Sequence, residues 1–134
     1  MADGLPFWRG SMPHLLSLLR LMTGLLFLQH GTAKILGFPA SDFGGKPLLS
    51  MTGLSGTLEL VGGALIVIGL FTRPVAFILS GMMAVAYFMV HAPQNFFPLL
   101  NGGELAALYC FAFLFLSAAG GGSASLDRII GKAA

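Results

Sequence analysis

Five side chains in this 134-residue sequence are of types suited to proton or anion chemistry in an apolar setting: His30, Lys34, Glu59, His91 and Glu104. Glu59 organises the rest, because it lies in GLSGTLELVGGALIVIGLF, residues 53–71, an apolar run with a single acid. At ~1.5 Å per helical residue this run approaches the ~30 Å hydrocarbon thickness of a bilayer, and it reads as a spanning helix. A carboxylate facing lipid at that depth costs roughly 2.5–3.5 kcal/mol, so Glu59 is expected to face protein and to have a partner. Ser55, Glu59, Gly62, Gly63 and Ile66 fall on one helix face and form a small-residue seam that aims the acid into a bundle.

The partner is expected on the preceding apolar run. His30 lies about six residues from its end and Glu59 about six from the start of the next, which sets both ~9 Å below the surface. Glu59 is expected to pair with His30 or Lys34 and to share a proton, so these three form the candidate catalytic set. His91 and Glu104 lie nearer the surface, one ending a helix and one beginning the next, and with Tyr87 and Asn101 they form a candidate substrate-binding set. Each has a plainer reading. Glu104 equally completes a capping arrangement with Asn101, His91 suits an interface, and Glu59 suits a hydrogen-bonded acid that only holds helices together.

With 56% hydrophobic and 9% charged residues and a mean hydropathy of +0.88, the chain is too apolar for an ordinary soluble domain and reads as an integral membrane protein. The formal net charge of +2 is small and not clustered, which argues against nucleic acid as a partner. A single cysteine, Cys110, excludes an internal disulfide and a CxxC redox pair. The sequence carries no metal or flavin motif.

The elements that must position these residues are four apolar helices, at about 13–36, 53–71, 74–91 and 103–119. Pro13 suits the first turn of the first, and Thr72-Arg73-Pro74 makes a tight turn into the third. Residues 1–12 read as a short tail with Trp8 and Arg9 at headgroup level, 13–120 as the helical domain, and 121–134 as a flexible tail with one amphipathic turn. The 37–50 segment is too rich in Gly and Pro for a span and is expected to lie against the membrane as a cover for Glu59. The close-packing seam of the fourth helix is expected at Gly103, Ala107, Cys110, Leu114 and Ser117. Arg9, Arg20, Arg73, Arg128 and Lys132 fall on the side of both termini, against Lys34 and Lys46 on the other. The expected fold is therefore an all-α integral membrane four-helix bundle with both termini cytoplasmic. FLQH and FMVH each precede a helix with an early glutamate, a weak internal repeat of two hairpins.

HGTAKILGF after an arginine-bearing first helix, ELVGGALIVIGLFTRPVA, and NGGELAALYCFAFLFL together resemble the DoxX family of small four-helix membrane proteins, across nearly all of the chain. His30, Lys34, Glu59 and Glu104 lie in the matching stretches. The family is similar to the membrane subunit of an archaeal thiosulfate:quinone oxidoreductase, and one relative associates with superoxide dismutase and a sulfurtransferase. The resemblance implies a multi-pass protein of a bacterial or archaeal cytoplasmic membrane with a redox or redox-partner role. A soluble redox or sulfurtransferase partner and a homo-oligomer are compatible with it.

The expected function is a quinone-interacting oxidoreductase subunit, with quinone as co-substrate. Quinone reduction needs an apolar cleft and proton donors beside the carbonyl oxygens, which His30 and Glu59 would supply, while Lys34 stabilises developing anion or recruits an anionic substrate such as thiosulfate. The alternatives are a non-catalytic scaffold that recruits a redox partner, a small transporter or proton pathway, and a haem or metal site between His30 and His91.

Overall fold

The computed structural model describes residues 6–132, and among them it is wholly helical. Four long helices carry the mass: α1 Pro6–Ile35, α2 Met51–Ile68, α3 Thr72–Ala86, continued by a π-helical turn Tyr87–His91, and α5 Glu104–Ala119. Two single turns, α4 Pro98–Asn101 and α6 Leu126–Ile129, complete the chain. α1, α2 and the α3–π rod are long and apolar enough to cross a membrane, and α5, at 16 residues, is a shorter apolar helix. Dozens of large apolar side chains stay outside the bundle, among them Leu18, Leu25, Leu108 and Phe111. Water would penalise such a surface and hydrocarbon would not.

α1 packs mainly on α2 and α3 mainly on α5, so the molecule is built from two hairpins, as the FLQH and FMVH repeat anticipates. Missing side chains let α1 and α2 touch. A Cβ at Gly31 would overlap the backbone of Glu59 and Leu60, and one at Gly63 would lie 2.9 Å from the Cα of Leu28. Gly62, on the seam read from the sequence, receives Leu79 of α3. Between the hairpins lies an aromatic core: Phe27 meets Phe113 edge-on at 4.9 Å and Tyr109 at 5.3 Å, against Ile66, Leu79 and Leu116.

Several boundaries differ from expectation for identifiable reasons. α1 begins at Pro6, so residues 6–12 are helix rather than tail, and Met1–Leu5 of the expected tail lie outside the described residues. Pro13 is therefore interior, and the only backbone bond it forfeits is the one to the Arg9 carbonyl. α2 starts earlier because Ser50 caps it, its hydroxyl accepting from the Gly53 amide at 3.1 Å, and it stops where Gly69 turns left-handed at φ 72°. Gly103, of the expected seam, is buried just before α5, but within the helix the buried stripe is Ala106, Tyr109, Phe113 and Leu116, one position off the expected Ala107, Cys110, Leu114 and Ser117, because two aromatic rings rather than small residues fill the space beside Phe27.

The 121–132 segment, expected to be flexible, is packed against the bundle. Ser17 donates to the Gly121 carbonyl at 3.2 Å and accepts from the Ala124 amide at 2.9 Å. Arg20, counted above among surface cations, is only 3% exposed. It turns inward and donates to the carbonyls of Gly121, Val67 and Ala124. Three carbonyls that helix ends and a loop leave unpartnered are a better destination for a guanidinium than an apolar exit path.

Candidate functional site

At the C-terminal end of α1, the close α1–α2 approach brings the first expected set together. Lys34 Nζ lies 3.0 Å from each carboxylate oxygen of Glu59 and donates to the Ser55 hydroxyl at 3.1 Å. The side chains are 17% and 7% exposed, so the pair sits inside the bundle with the lysine toward the opening. The approach depends on Gly56, where a Cβ would collide with the Lys34 side chain at 2.7 Å. Phe43, from the segment expected to cover the acid, lies with its ring centroid 6.0 Å from Lys34 Nζ. Of the two partners anticipated for Glu59, the direct one is Lys34. His30 stands one turn away, half-buried and within electrostatic reach of the carboxylate.

The pair is incompletely satisfied. Oε1 takes a well-directed bond from Lys34, whereas Oε2, at the same distance, receives none of acceptable angle from any described group. Nearby, the Tyr109 hydroxyl of α5 is buried without a partner, and its ring meets His30 edge-on at 6.3 Å. The carboxylate of Glu59 is near enough to act on that hydroxyl electrostatically. The cluster thus offers a cation, an acceptor oxygen with free capacity, an unengaged phenol and an imidazole. These are the parts of a site that donates hydrogen bonds, moves protons or holds an anion. Tyr109 escaped the sequence reading. It could have been found as the one mid-helix hydroxyl at the three- and four-residue spacing of Ala106 and Phe113.

Three of the second expected set also meet. The π-helical turn, closed by the Ala92 amide bonding the Tyr87 carbonyl at 2.9 Å, carries Tyr87 and His91 with ring centroids 6.4 Å apart. His91 Nδ1 lies 3.0 Å from the Asn101 carbonyl oxygen. The Asn101 side chain donates to the Tyr87 hydroxyl at 3.2 Å and to the Asn95 carbonyl at 3.0 Å, and it accepts from the Gly103 amide at 2.7 Å. Glu104 does not join them. It is exposed, and the amide that Asn101 caps belongs to Gly103, so the expected Asn101–Glu104 cap is not made. No three His, Cys, Asp or Glu side chains converge in metal-binding geometry among the described residues.

A second polar centre, which the sequence reading missed, lies at the Arg20 end. Asp127 is 2% exposed and accepts from the Phe71 amide at 2.8 Å and the Thr72 amide at 2.9 Å, closing the start of α3. Burial pushes its carboxyl up, but the Thr72 and Phe71 amides and the charge of Lys132 together hold it below the usual carboxylate range. The signal was Ser125-Leu-Asp127-Arg128, a helix cap with an acid in the first turn.

Comparison with known proteins adds a family. The family model for DoxX matches residues 15–92, which include His30, Lys34, Glu59, Tyr87 and His91. An uncharacterised protein of Haemophilus influenzae is 46% identical over 121 residues, covering 87% of this chain and 90% of its own. A second uncharacterised protein of that organism is 34% identical over 74 residues, 55% of this chain and 49% of its own. No solved structure matches the chain.

Proposed function

The chain belongs to the DoxX family and carries membrane-spanning helices, and on that premise we propose that it is a quinone-interacting oxidoreductase subunit of a bacterial or archaeal cytoplasmic membrane. In this reading all four long helices cross the bilayer, with both termini on the cytoplasmic side. Arg73, Arg128 and Lys132 face that side, and the Lys34–Glu59 cluster lies in the outer half. The observation that carries the reading is spare hydrogen-bonding capacity inside an apolar bundle: the Tyr109 hydroxyl is buried without a hydrogen-bond partner beside His30, and Glu59 Oε2 meets Lys34 only as an ion pair.

Reduction of a quinone to a quinol takes up two electrons and two protons. Coupling of two thiosulfate ions to tetrathionate releases two electrons and no proton, so with such a donor both protons must be delivered through the protein. Tyr109 donates a hydrogen bond to a quinone carbonyl oxygen, which polarises it toward reduction. Glu59 and His30 relay protons to the reduced oxygens, and Lys34 stabilises the charge that builds before they arrive. The electrons come from an anionic sulfur compound drawn to Lys34 or from a soluble redox or sulfurtransferase partner. His91, Tyr87 and Asn101 form a lip nearer the surface that shapes access.

The test is quinone binding by the purified protein in detergent, compared with Glu59→Gln, His30→Ala and Tyr109→Phe variants whose helicity is intact. Saturable binding that all three weaken is the expected result. A wild-type protein that binds no quinone removes the proposal. The Lys34–Glu59 bridge between α1 and α2 then favours the non-catalytic scaffold, and proton or solute flux in proteoliposomes would favour a transporter instead.

A further inference from the structure

At the opposite end of the bundle from Lys34, the N-terminal half of α1 and the C-terminal end of α5 enclose an apolar groove of about 530 Å³. Leu15, Leu16, Leu19, Phe115 and Ala119 line it, and Arg128 is the one charged side chain in the lining. The Arg128 guanidinium makes no hydrogen bond or ion pair among the described residues. The backbone of Arg128 is fixed by the fold, because Ser17 and Arg20 pin the 121–124 loop and Ser125 accepts from the Arg128 amide at 3.3 Å. Gly122 makes this possible. At φ +84° it passes so close to α1 that a Cβ would lie 2.8 Å from the Ser17 amide nitrogen.

We propose that this groove binds one anionic phospholipid, with an acyl chain lying along α1 and the phosphate paired with Arg128. The argument is complementarity of both kinds. From Met12 to Leu19 the groove runs ~10 Å along the helix axis, lined on that side by apolar residues. A hydrocarbon chain therefore meets hydrocarbon along the groove, and the cation in its lining meets the one part of a lipid that carries charge. Lys132 lies on the same end of the molecule and adds to the positive field. A zwitterionic lipid fits the walls equally well but brings its own cation toward Arg128. The site does not involve Lys34, Glu59 or Tyr109 and stands whether or not the protein binds quinone.

Native mass spectrometry of the full chain, released from detergent containing equal amounts of phosphatidylglycerol and phosphatidylcholine of the same acyl composition, tests this. The wild type is expected to retain one phosphatidylglycerol in preference to phosphatidylcholine. Arg128→Gln should lower that preference about fivefold, the value of roughly 1 kcal/mol per cation at a lipid surface, while Arg128→Lys keeps most of it. Ala119→Trp, which fills the groove, should reduce retention of both lipids. Excess inorganic phosphate should not displace the lipid, because the acyl chain supplies much of the affinity. Equal retention of the two lipids by wild type, an undiminished preference in Arg128→Gln, or displacement by phosphate would each overturn the proposal.

Discussion

α1 carries a buried cation at its midpoint, Arg20, and a partly buried one in its last turn, Lys34, ~21 Å apart along the helix, and the two are treated in opposite ways. Arg20 is surrounded by acceptors: three carbonyls take its guanidinium, and Asp127 acts on it from beyond them while satisfying two amides of its own. The charged groups brought inside at that end are bonded to backbone, although the Arg20 Nε and the Thr72 hydroxyl are buried without a partner. Lys34 instead shares its end with a carboxylate oxygen that it meets only as an ion pair at 3.0 Å and with a buried phenol that has no hydrogen-bond partner. A buried polar group left unpaired costs about 1–3 kcal/mol, so a bundle that tolerates two near each other sacrifices stability there. The lesson is that burial alone does not separate architecture from function. What the buried charge meets is the more telling difference: in the more finished centre it is bonded to backbone that holds the C-terminal segment, whereas in the unfinished one it meets only another side chain, the end that our proposal gives to a ligand.

The comparison breaks most readily at the finished centre. Arg20→Leu strands the Gly121, Val67 and Ala124 carbonyls and releases the C-terminal segment, and it should cost about 3–5 kcal/mol. Thermal or denaturant unfolding in detergent checks this, and quinone binding per folded molecule should be unchanged. Next comes Glu59→Gln, which removes the charge partner of a mostly buried lysine at a cost of about 1.5–3 kcal/mol. Adding Lys34→Met to that variant should restore part of the stability but none of the quinone binding. If binding survived either change, the unfinished centre would be architectural after all.

Asp127 gives a smaller, pH-resolved effect. Its folded carboxyl titrates below the ordinary value, so its contribution is fully present above that ordinary value and is lost as pH falls through the lower folded one. The melting temperature of wild type should therefore fall more steeply than that of Asp127→Asn as pH drops below about 4. At neutral pH, Asp127→Asn should cost about 1 kcal/mol, the scale of a lost helix cap. Parallel acid profiles for the two proteins would show that the α3 cap does not depend on the charge.

How much of this was legible follows the same division. Glu59 and Lys34 were readable because an acid inside an apolar helix demands a partner, and helix depth limited the choice to two residues. The two-hairpin pairing was visible in the repeated FLQH and FMVH endings. The Arg20–Asp127 centre was not, because its partners are backbone carbonyls and amides that any sequence supplies, and because GGGSAS reads as a free tail until Gly122 is seen to let it touch α1. Tyr109 was missed for a related reason. Small residues were taken as the contact face of α5, whereas the core between the hairpins needed large rings, which shifted the buried stripe by one position.

The sharpest form of the comparison is the mildest substitution. Tyr109→Phe removes one oxygen atom from a ring that packs against Phe27 and stacks on Phe113 at 5.9 Å, and it leaves those contacts in place. An ordinary buried tyrosine hydroxyl has a partner, and its loss costs about 0.5–1.5 kcal/mol. Here nothing in the protein is bonded to it, so stability should change by less than about 0.5 kcal/mol, or rise slightly, since an unpaired polar atom leaves an apolar site. Quinone affinity should nevertheless fall about threefold to tenfold, the value of one hydrogen bond to a carbonyl oxygen. Architecture predicts the reverse, a destabilised protein with unaltered binding. Unfolding and binding curves measured on the same preparation distinguish the two, because a merely structural tyrosine cannot lower affinity while leaving the fold as stable as before.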